Sequence, residues 1–216
     1  WYSYRTDIKT VKISKGVSKI GNYAFYNCSN LTSINIPVNE IGQGAFTGCS
    51  NLTSVTISNS SFLSKTYGEW SSLSYIIGNQ VKEYIIEEGV TQIGKYAFSR
   101  CSGAKKIIIP SSVIAIDYGA FKYCSGLESI SISNKEISIG GSAFYKCSGA
   151  LRVNCNIPTY GLTLDGHGGP FEEGKFSSVS IGNDVKTIGN FAFYNNTELT
   201  SITLGSDVES IGDKAF

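Results

Sequence analysis

The sequence predicts a repeat solenoid in which each repeat adds one strand to a parallel β-sheet. The string I-[GD]-x-x-A-F occurs seven times, and segments with the pattern L-x-x-I-x-I follow it. The period is about 23 residues, which is too short for one unit to bury its own apolar face, so neighbouring units must stack. The expected fold is an α/β-type, leucine-rich-repeat-like right-handed stack, with turns and short helical turns opposite one parallel sheet.

The spacing of the motif also predicts where the stack is irregular. The motif starts at Ile20, Ile41, Ile93, Ile116, Ile139, Ile188 and Ile211. Each of the two long gaps has room for one extra, degenerate repeat. We therefore expect a first lengthened repeat at about residues 58–89 and a second at about 156–184, within a single solenoid over residues 1–216. Because the chain ends inside a motif, the solenoid is expected to continue beyond residue 216.

The strand half of the repeat predicts nine strands whose inward apolar residues alternate with outward polar ones. Nine strands at ~4.8 Å spacing give a sheet roughly 40 Å long. The predicted inward pairs are Val11/Ile13, Ile34/Ile36, Val55/Ile57, Tyr84/Ile86, Ile107/Ile109, Ile130/Ile132, Val153/Cys155, Val179/Ile181 and Ile202/Leu204.

The Ala-Phe half predicts turns whose phenylalanines stack in one core column. Its expected members are Phe25, Phe46, Phe98, Phe121, Phe144, Phe193 and Phe216. The glycine after the first isoleucine of each motif is expected to meet a backbone requirement, either a positive φ or a close approach of two chains. Asp117 replaces this glycine once.

Five of the six cysteines lie three residues after a motif phenylalanine and so form a second column. They are Cys28, Cys49, Cys101, Cys124 and Cys147. Parallel Cβ vectors give poor disulfide geometry, and the chain has neither a C-x-x-C pair nor a second histidine to complete a zinc site. Since Asn196 takes the cysteine position once, we expect each residue of the column to make a buried hydrogen bond to a turn backbone. Cys155 is expected to point into the core from a strand.

Residues 20–37, IGNYAFYNCSNLTSINIP, and residues 116–132, IDYGAFKYCSGLESISI, resemble the BspA-like leucine-rich repeats. The resemblance extends over nearly the whole chain and departs from the pattern in the two lengthened repeats. It implies a protein-interaction module of a large surface-exposed or secreted protein from host-associated bacteria or parasitic protists, some of which are described as adhesins for host proteins. The implied location is extracellular or at the cell surface, although no signal peptide is visible in this chain.

Charge and motif content favour a non-catalytic chain without cofactor or metal, and we expect the chain to be a monomer. Lys plus Arg is 18 against 17 for Asp plus Glu, so the chain has no general attraction to nucleic acid, and its apolar runs are too short to insert into a membrane. The only histidine, His167, lies in a Gly-rich stretch with Asp165 and Glu172 nearby. A solvated turn residue is the simple interpretation of His167, and an acid–base or metal site of a hydrolase is the alternative.

The first candidate binding surface is the outward side of the predicted sheet, which we name the strand face. If the stack curves as leucine-rich repeats do, this face is concave and available to a ligand. Ile85 and Ile108 are predicted to be exposed on adjacent strands, and Lys106 is predicted to pair with Glu83 across them. The candidate binding residues are Lys12, Asn35, Glu83, Ile85, Lys106, Ile108, Ser129, Arg152 and Asn154. The alternative is a solvated sheet covered with small hydroxyl groups.

The second candidate surface is formed by the loops of the lengthened repeats, where solenoids often bind ligands. Tyr67 and Tyr160 are expected to be exposed contact residues, with His167 beside them. Trp70, Leu73 and Phe171 are instead expected to fill the core where the phenylalanine column is interrupted. The expected partner of either surface is a host or extracellular matrix protein, or a glycan. The alternative function is a rigid structural spacer within a larger surface protein.

Overall fold

The computed structural model describes residues 2–159, 161 and 168–216, which form a parallel β-solenoid. Its helices are a 3-10 helix at Tyr2–Asp7, α1 at Ser60–Leu63 and α2 at Leu73–Ile76. Its strands are β1 Thr10–Val11, β2 Lys19–Ile20, β3 Ser33–Ile36, β4 Glu40–Ile41, β5 Ser54–Ile57, β6 Glu83–Ile86, β7 Gln92–Ile93, β8 Lys106–Ile108, β9 Ala115–Ile116, β10 Ser129–Ile132, β11 Ser138–Ile139, β12 Ser148–Val153, β13 Lys175–Ile181, β14 Thr187–Ile188, β15 Ser201–Thr203 and β16 Ser210–Ile211.

The predicted nine-stranded parallel sheet is confirmed, with the order β1-β3-β5-β6-β8-β10-β12-β13-β15. The four-residue strands form because each places alternate residues in the core. In β3, for example, Ile34 and Ile36 are buried whereas Ser33 and Asn35 are exposed. Sequential repeats therefore lie beside one another along the whole sheet. The prediction of an inward pair is wrong for Ile202 and Leu204, which are 43% and 44% exposed because β15 is the edge strand of the sheet.

The register of β12 differs from the prediction. Leu151 and Val153, rather than Val153 and Cys155, are the inward pair, and they lie beside Ile130 and Ile132 of β10. A shift of one residue would have turned every side chain to the wrong face, but a shift of two preserves the alternation. The pattern of apolar residues could therefore not distinguish the two registers. Cys155 is buried as expected, but it follows the strand instead of belonging to it.

A second set of parallel pairings was not predicted. The residue before each motif isoleucine and the isoleucine itself form two-residue strands, which pair as β2-β4, β11-β9-β7 and β14-β16. Two residues are too few to show an alternating pattern, so periodicity gives no signal for them. Regular repeats that follow one another directly are thus joined by two ladders of strand pairing.

The turn between the ladders requires a left-handed backbone at two positions in the repeat. One position precedes the alanine of the Ala-Phe pair, and the other lies two residues after the phenylalanine. The non-glycine residues there with φ of 46° to 64° are Tyr23, Asn27, Tyr96, Arg100, Tyr123, Ser142, Lys146, Glu173, Phe191, Asn195 and Lys214. The motif glycine has the other predicted role, close approach: a Cβ at Gly42 would lie 2.5 Å from the backbone nitrogen of Asn22.

The predicted phenylalanine column is confirmed, and Phe171 extends it. Neighbouring rings along the column lie 4.8 to 5.5 Å apart and are tilted by 2° to 19°, from Phe25 to Phe46 and from Phe98 through Phe171 to Phe216. Leu73 fills the break between these two runs. Its backbone N–H donates to the Ala97 carbonyl at 2.9 Å, which is the bond that a phenylalanine makes in the regular repeats.

Candidate functional site

The strand face carries the predicted ion pair at its centre. Glu83 and Lys106 are register partners on β6 and β8, and their side chains approach to 3.1 Å. Both are solvent-accessible, since the Lys106 side chain is 59% exposed and that of Glu83 is 35% exposed. A pair this exposed stabilises the fold by at most about 1 kcal/mol. Its charges remain accessible to a ligand.

The predicted apolar pair lies directly beside this ion pair. Ile85 and Ile108 are register partners on the same two strands, and Ile108 is 37% exposed. Ile85 is partly exposed. Two neighbouring isoleucines bordered by Glu83 and Lys106 make a small contact patch with an apolar centre and a charged edge. We name these four residues the isoleucine patch.

Farther along the sheet, Ser129 and Arg152 share a shallow depression of about 270 Å³. Its floor contains Ala150, which, rather than Arg152, is the register partner of Ser129. Arg152 is exposed and lies between Ser131 and Ser180 of the neighbouring strands. The depression therefore offers one cation among small side chains.

The remaining strand-face candidates lie apart from the isoleucine patch. Lys12 is exposed and follows β1, and the exposed Asn35 accepts a hydrogen bond from Ser58 at 2.9 Å. Asn154 follows β12, and its amide donates to the Asp184 carboxylate at 2.9 Å. The last contact connects the ends of two strands.

The structure reverses the predicted roles of Tyr67 and Trp70. Tyr67 is only 8% exposed, because its ring packs against Phe62 of α1 and its hydroxyl donates to the Phe62 carbonyl at 2.5 Å. Burial raises the pKa of the Tyr67 hydroxyl. Trp70 is 65% exposed and does not fill the core, whereas Leu73 and Phe171 do so as predicted. Tyr160 and His167 lie outside the described residues.

The exposed indole forms one wall of a surface cleft of about 470 Å³ that the sequence analysis missed. We name it the Trp70 cleft. Its principal lining residues are Trp70, Tyr75, Asn79, Arg100, Ser102 and Tyr123. The one available sequence signal was the polar setting of Trp70, between Glu69 and two serines, which is unusual for a core residue.

The Arg100 side chain holds the walls of this cleft together. Its guanidinium carbon lies 3.8 Å from the Trp70 ring centre and 4.5 Å from that of Tyr123. One of its terminal nitrogens lies 3.2 Å from a Glu69 carboxylate oxygen, and Lys122 lies 3.9 Å from the same oxygen. Stacked contacts with two rings and an ion pair fix the position of Arg100.

Three cysteines of the column make the predicted hydrogen bond to a turn backbone, whereas the Cys101 thiol instead donates to the Tyr84 hydroxyl at 3.9 Å. The Cys49, Cys124 and Cys147 thiols donate to a phenylalanine carbonyl of the preceding repeat at 3.0 to 3.1 Å, and the Asn196 amide does the same at 2.8 Å. All six thiols are free and buried. Burial raises the pKa of Cys49 to about 11 and that of Cys155 to about 12. Protonated, buried thiols have a structural role and are poor nucleophiles.

Glu172, the acidic residue near the predicted His167 turn, is buried and hydrogen-bonded. It accepts from the Ser142 hydroxyl at 2.7 Å and from the Gly168 backbone N–H at 2.6 Å. These bonds connect the second lengthened repeat to the preceding turn. Within residues 2–159, 161 and 168–216, no group of three or more metal-binding side chains comes together.

The helices of the described part of the chain are too short and polar to cross a membrane.

Among solved structures, the chain resembles a leucine rich cell surface protein from Faecalibacterium prausnitzii, with 25% identity, 90% of this chain and 60% of that chain covered, and a TM-score of 0.44. It therefore spans less than two thirds of that protein. For a leucine-rich repeat protein from T. pallidum the identity is 22%, the covered shares are 91% and 67%, and the TM-score is 0.37.

No curated protein matches the chain. The family model described as "BspA type Leucine rich repeat region" matches in six copies over residues 2–85, 78–161 and 169–216. These matches include both ladders, the phenylalanine column and the cysteine column. The chain therefore belongs to the BspA type leucine-rich repeat family.

Proposed function

We propose that the chain is a non-catalytic protein-interaction module that acts at the cell surface or in a secreted protein. Its family membership favours an interaction or structural role. The surface location follows from what BspA-like repeats imply. A host or extracellular matrix protein is the proposed partner.

The observation that carries this proposal is the isoleucine patch on the strand face. An apolar centre with a charged border is the usual composition of a protein-binding site, in which a few central residues provide most of the affinity. Ile85 and Ile108 would supply the centre, and Glu83 and Lys106 would set the orientation of the partner. The nearby Arg152 would extend the contact along the sheet.

The charge balance of the chain bears on the way in which it would bind. Since its net charge is only +1, long-range steering contributes little, and affinity would depend weakly on salt. Binding that disappears at moderate salt would therefore point to a different surface or to a nonspecific contact.

A binding screen against purified extracellular matrix and host-surface proteins tests the proposal. Saturable binding of the chain should weaken at least about tenfold in the double variant Lys106→Glu with Ile108→Asp. The matched control is Lys135→Glu with Ile114→Asp, which makes the same chemical changes at exposed positions outside the nine-stranded sheet. An equal loss in both double variants, or no saturable binding by the parent chain, would contradict the proposal.

A rigid spacer is the second candidate, and the rows of small hydroxyl residues on the strand face favour it. One register row across the sheet contains Ser33, Ser54, Ser129, Ser178 and Ser201, which provide few strong contacts. Only Glu83, Lys106 and Ala150 interrupt these serines. A spacer would separate an anchor from a distal binding domain. If the parent chain binds nothing and its full-length protein binds through another domain, the spacer function is favoured.

A further inference from the structure

The Trp70 cleft has the composition of a small-ligand site, and the fold does not need its exposed rings. Trp70 is 65% exposed and Tyr75 is 54% exposed. The core position of this repeat is already filled by Leu73, which is fully buried. The cleft volume of about 470 Å³ lies within the range common for small-molecule sites.

The two exposed rings form a corner rather than a flat patch. The centres of Trp70 and Tyr75 lie 6.2 Å apart, and their planes meet at 71°. A ligand ring can therefore lie flat on one aromatic face while its edge contacts the other. This shape suits a single ring with an apolar face better than an extended peptide, which binds along a sheet edge or a groove.

Arg100 gives the corner a fixed geometry and a charge that is already paired. Its guanidinium supports both Trp70 and Tyr123, and Glu69, which also lies 3.9 Å from Lys122, partly offsets its charge. A pre-formed site loses less entropy on binding than a flexible one. Because the cleft's single cation is already paired, a strongly anionic ligand would have to compete with Glu69.

The rim of the cleft consists of groups that both donate and accept hydrogen bonds. Asn79, Ser102 and Ser125 line it, and all three are exposed. Amide and hydroxyl side chains suit a ligand whose own groups also donate and accept hydrogen bonds, as the hydroxyl groups of a sugar do. A sugar ring also has an apolar C–H face that can cover an indole. We propose that the Trp70 cleft binds a neutral sugar ring of a glycan.

This site is separate from the isoleucine patch, and the inference does not depend on the proposed protein partner. Arg100 and Tyr123 lie on the turns, whereas Ile85 and Ile108 lie on the nine-stranded sheet. The chain would thus have a glycan site and a protein site on different surfaces. If binding at one of these sites is disproved, the proposal for the other site is unaffected.

Trp70 is itself the reporter for the test. In a Trp1→Phe background it is the only tryptophan, so its fluorescence reports on the cleft. We would titrate this protein with neutral monosaccharides and their oligosaccharides, with glucuronic acid, and with a proline-rich peptide. We expect a saturable fluorescence change with at least one neutral sugar. The variants Tyr75→Ala and Asn79→Ala should each weaken that binding by about tenfold.

Tyr23→Ala is the matched control, because Tyr23 is also 54% exposed but lies in another repeat. It should leave sugar binding unchanged. Retention of the parent's urea unfolding midpoint would show that each variant is folded. A glycan array probed with the parent and with Trp70→Ala supplies a second measurement, in which the variant should lose the signal.

Three results would overturn the inference. One is the absence of a saturable response to every neutral sugar. Another is a response to glucuronic acid or to the proline-rich peptide alone, which would assign the cleft to an anionic or a peptide ligand. The third is equal weakening by Tyr23→Ala and Tyr75→Ala, which would place the effect outside the cleft.

Discussion

The first lengthened repeat places Leu73 in the phenylalanine column, whereas the second places Phe171 there. In the first, α1 and α2 accommodate the additional residues, and Asn59 caps α1 by accepting a hydrogen bond from the Phe62 N–H at 2.8 Å. In the second, buried Glu172 connects to the preceding turn. One repeat interrupts the aromatic stack and exposes Trp70, and the other keeps the stack continuous.

The comparison teaches that an insertion in this solenoid changes the surface without changing the order of the strands or the turn geometry. Leu73 donates to the Ala97 carbonyl and Phe171 to the Ala192 carbonyl, so both insertions return to the same turn geometry. Since neighbouring repeats meet only through such recurring contacts, additional chain can be accommodated between them. The additional residues therefore affect the packing of the core rather than the topology.

The largest expected effect is that of Phe171→Ala, at about 4 kcal/mol of unfolding free energy. The Phe171 ring lies 5.2 Å from Phe144 and 5.0 Å from Phe193, so truncation leaves a cavity between two rings. Leu73→Ala should cost about 3 kcal/mol, because a smaller side chain is lost. Urea unfolding measures both changes. A larger loss for Leu73→Ala would show that the interrupted stack is the better-packed one.

Leu73→Phe should destabilise the fold by about 2 kcal/mol, because the leucine is fully buried and a phenyl ring adds volume to a packed core. The unfolding midpoint in urea measures this change. Phe171→Leu is the reciprocal variant and leaves a small cavity. If Leu73→Phe instead stabilised the protein, the first lengthened repeat would be an imperfect copy of a regular one, and the contrast between the two repeats would disappear.

Cys147→Ala should cost about 2 kcal/mol, since it removes both a buried sulfur atom and the hydrogen bond that the thiol donates to the Phe121 carbonyl at 3.0 Å. That carbonyl keeps its hydrogen bond from the Cys124 N–H. Cys147→Ser keeps a donor and should cost less. Chemical denaturation of the two variants measures the difference. Equal losses would indicate that the thiol contributes by packing alone.

Stability should fall with rising pH in alkaline solution because of the buried thiols. Burial raises the pKa of Cys49 to about 11 and that of Cys155 to about 12, from an ordinary value of 9.0. The unfolded chain therefore releases these protons first, and the stabilisation is complete below about pH 9 and declines from there to about pH 12. Urea unfolding at about pH 8 and about pH 10 should show the decline. Cys49→Ala should reduce it, and an unchanged slope in that variant would exclude Cys49 as a cause.

The smallest expected effect is that of Trp70→Ala, at less than about 1 kcal/mol. The indole is 65% exposed, so its removal loses mainly the stacking on Arg100. Thermal unfolding of Trp70→Ala and of Leu73→Ala compares the contributions of an exposed and a buried residue of the same repeat. A loss as large as that of Leu73→Ala would show that Trp70 supports the fold and would weaken the case for a ligand site.

The regular repeats were predictable because one residue pattern, repeated in order, specifies both strand alternation and the phenylalanine column. The Glu83–Lys106 pair and the neighbouring isoleucines followed from the strand register alone. In the lengthened repeats this information is lost. Whether Tyr67 or Trp70 enters the core depends on how α1 folds back, and the polar setting of Trp70 is the only sequence signal of the outcome. The two-residue register error in β12 has a different cause, because a shift of two residues preserves the alternation of apolar and polar residues.

The left-handed turn positions have a consequence for the evolution of the surface. Arg100 and Tyr123, which form walls of the Trp70 cleft, have φ values of 61° and 64°, where glycine would avoid about 1 kcal/mol of strain each. The repeat tolerates that strain, so nearly any side chain can be displayed there. Selection for thermal stability would favour glycines and erase such surfaces. An array of repeats that retains large side chains at these positions is instead a backbone on which new binding specificities can arise by single substitutions.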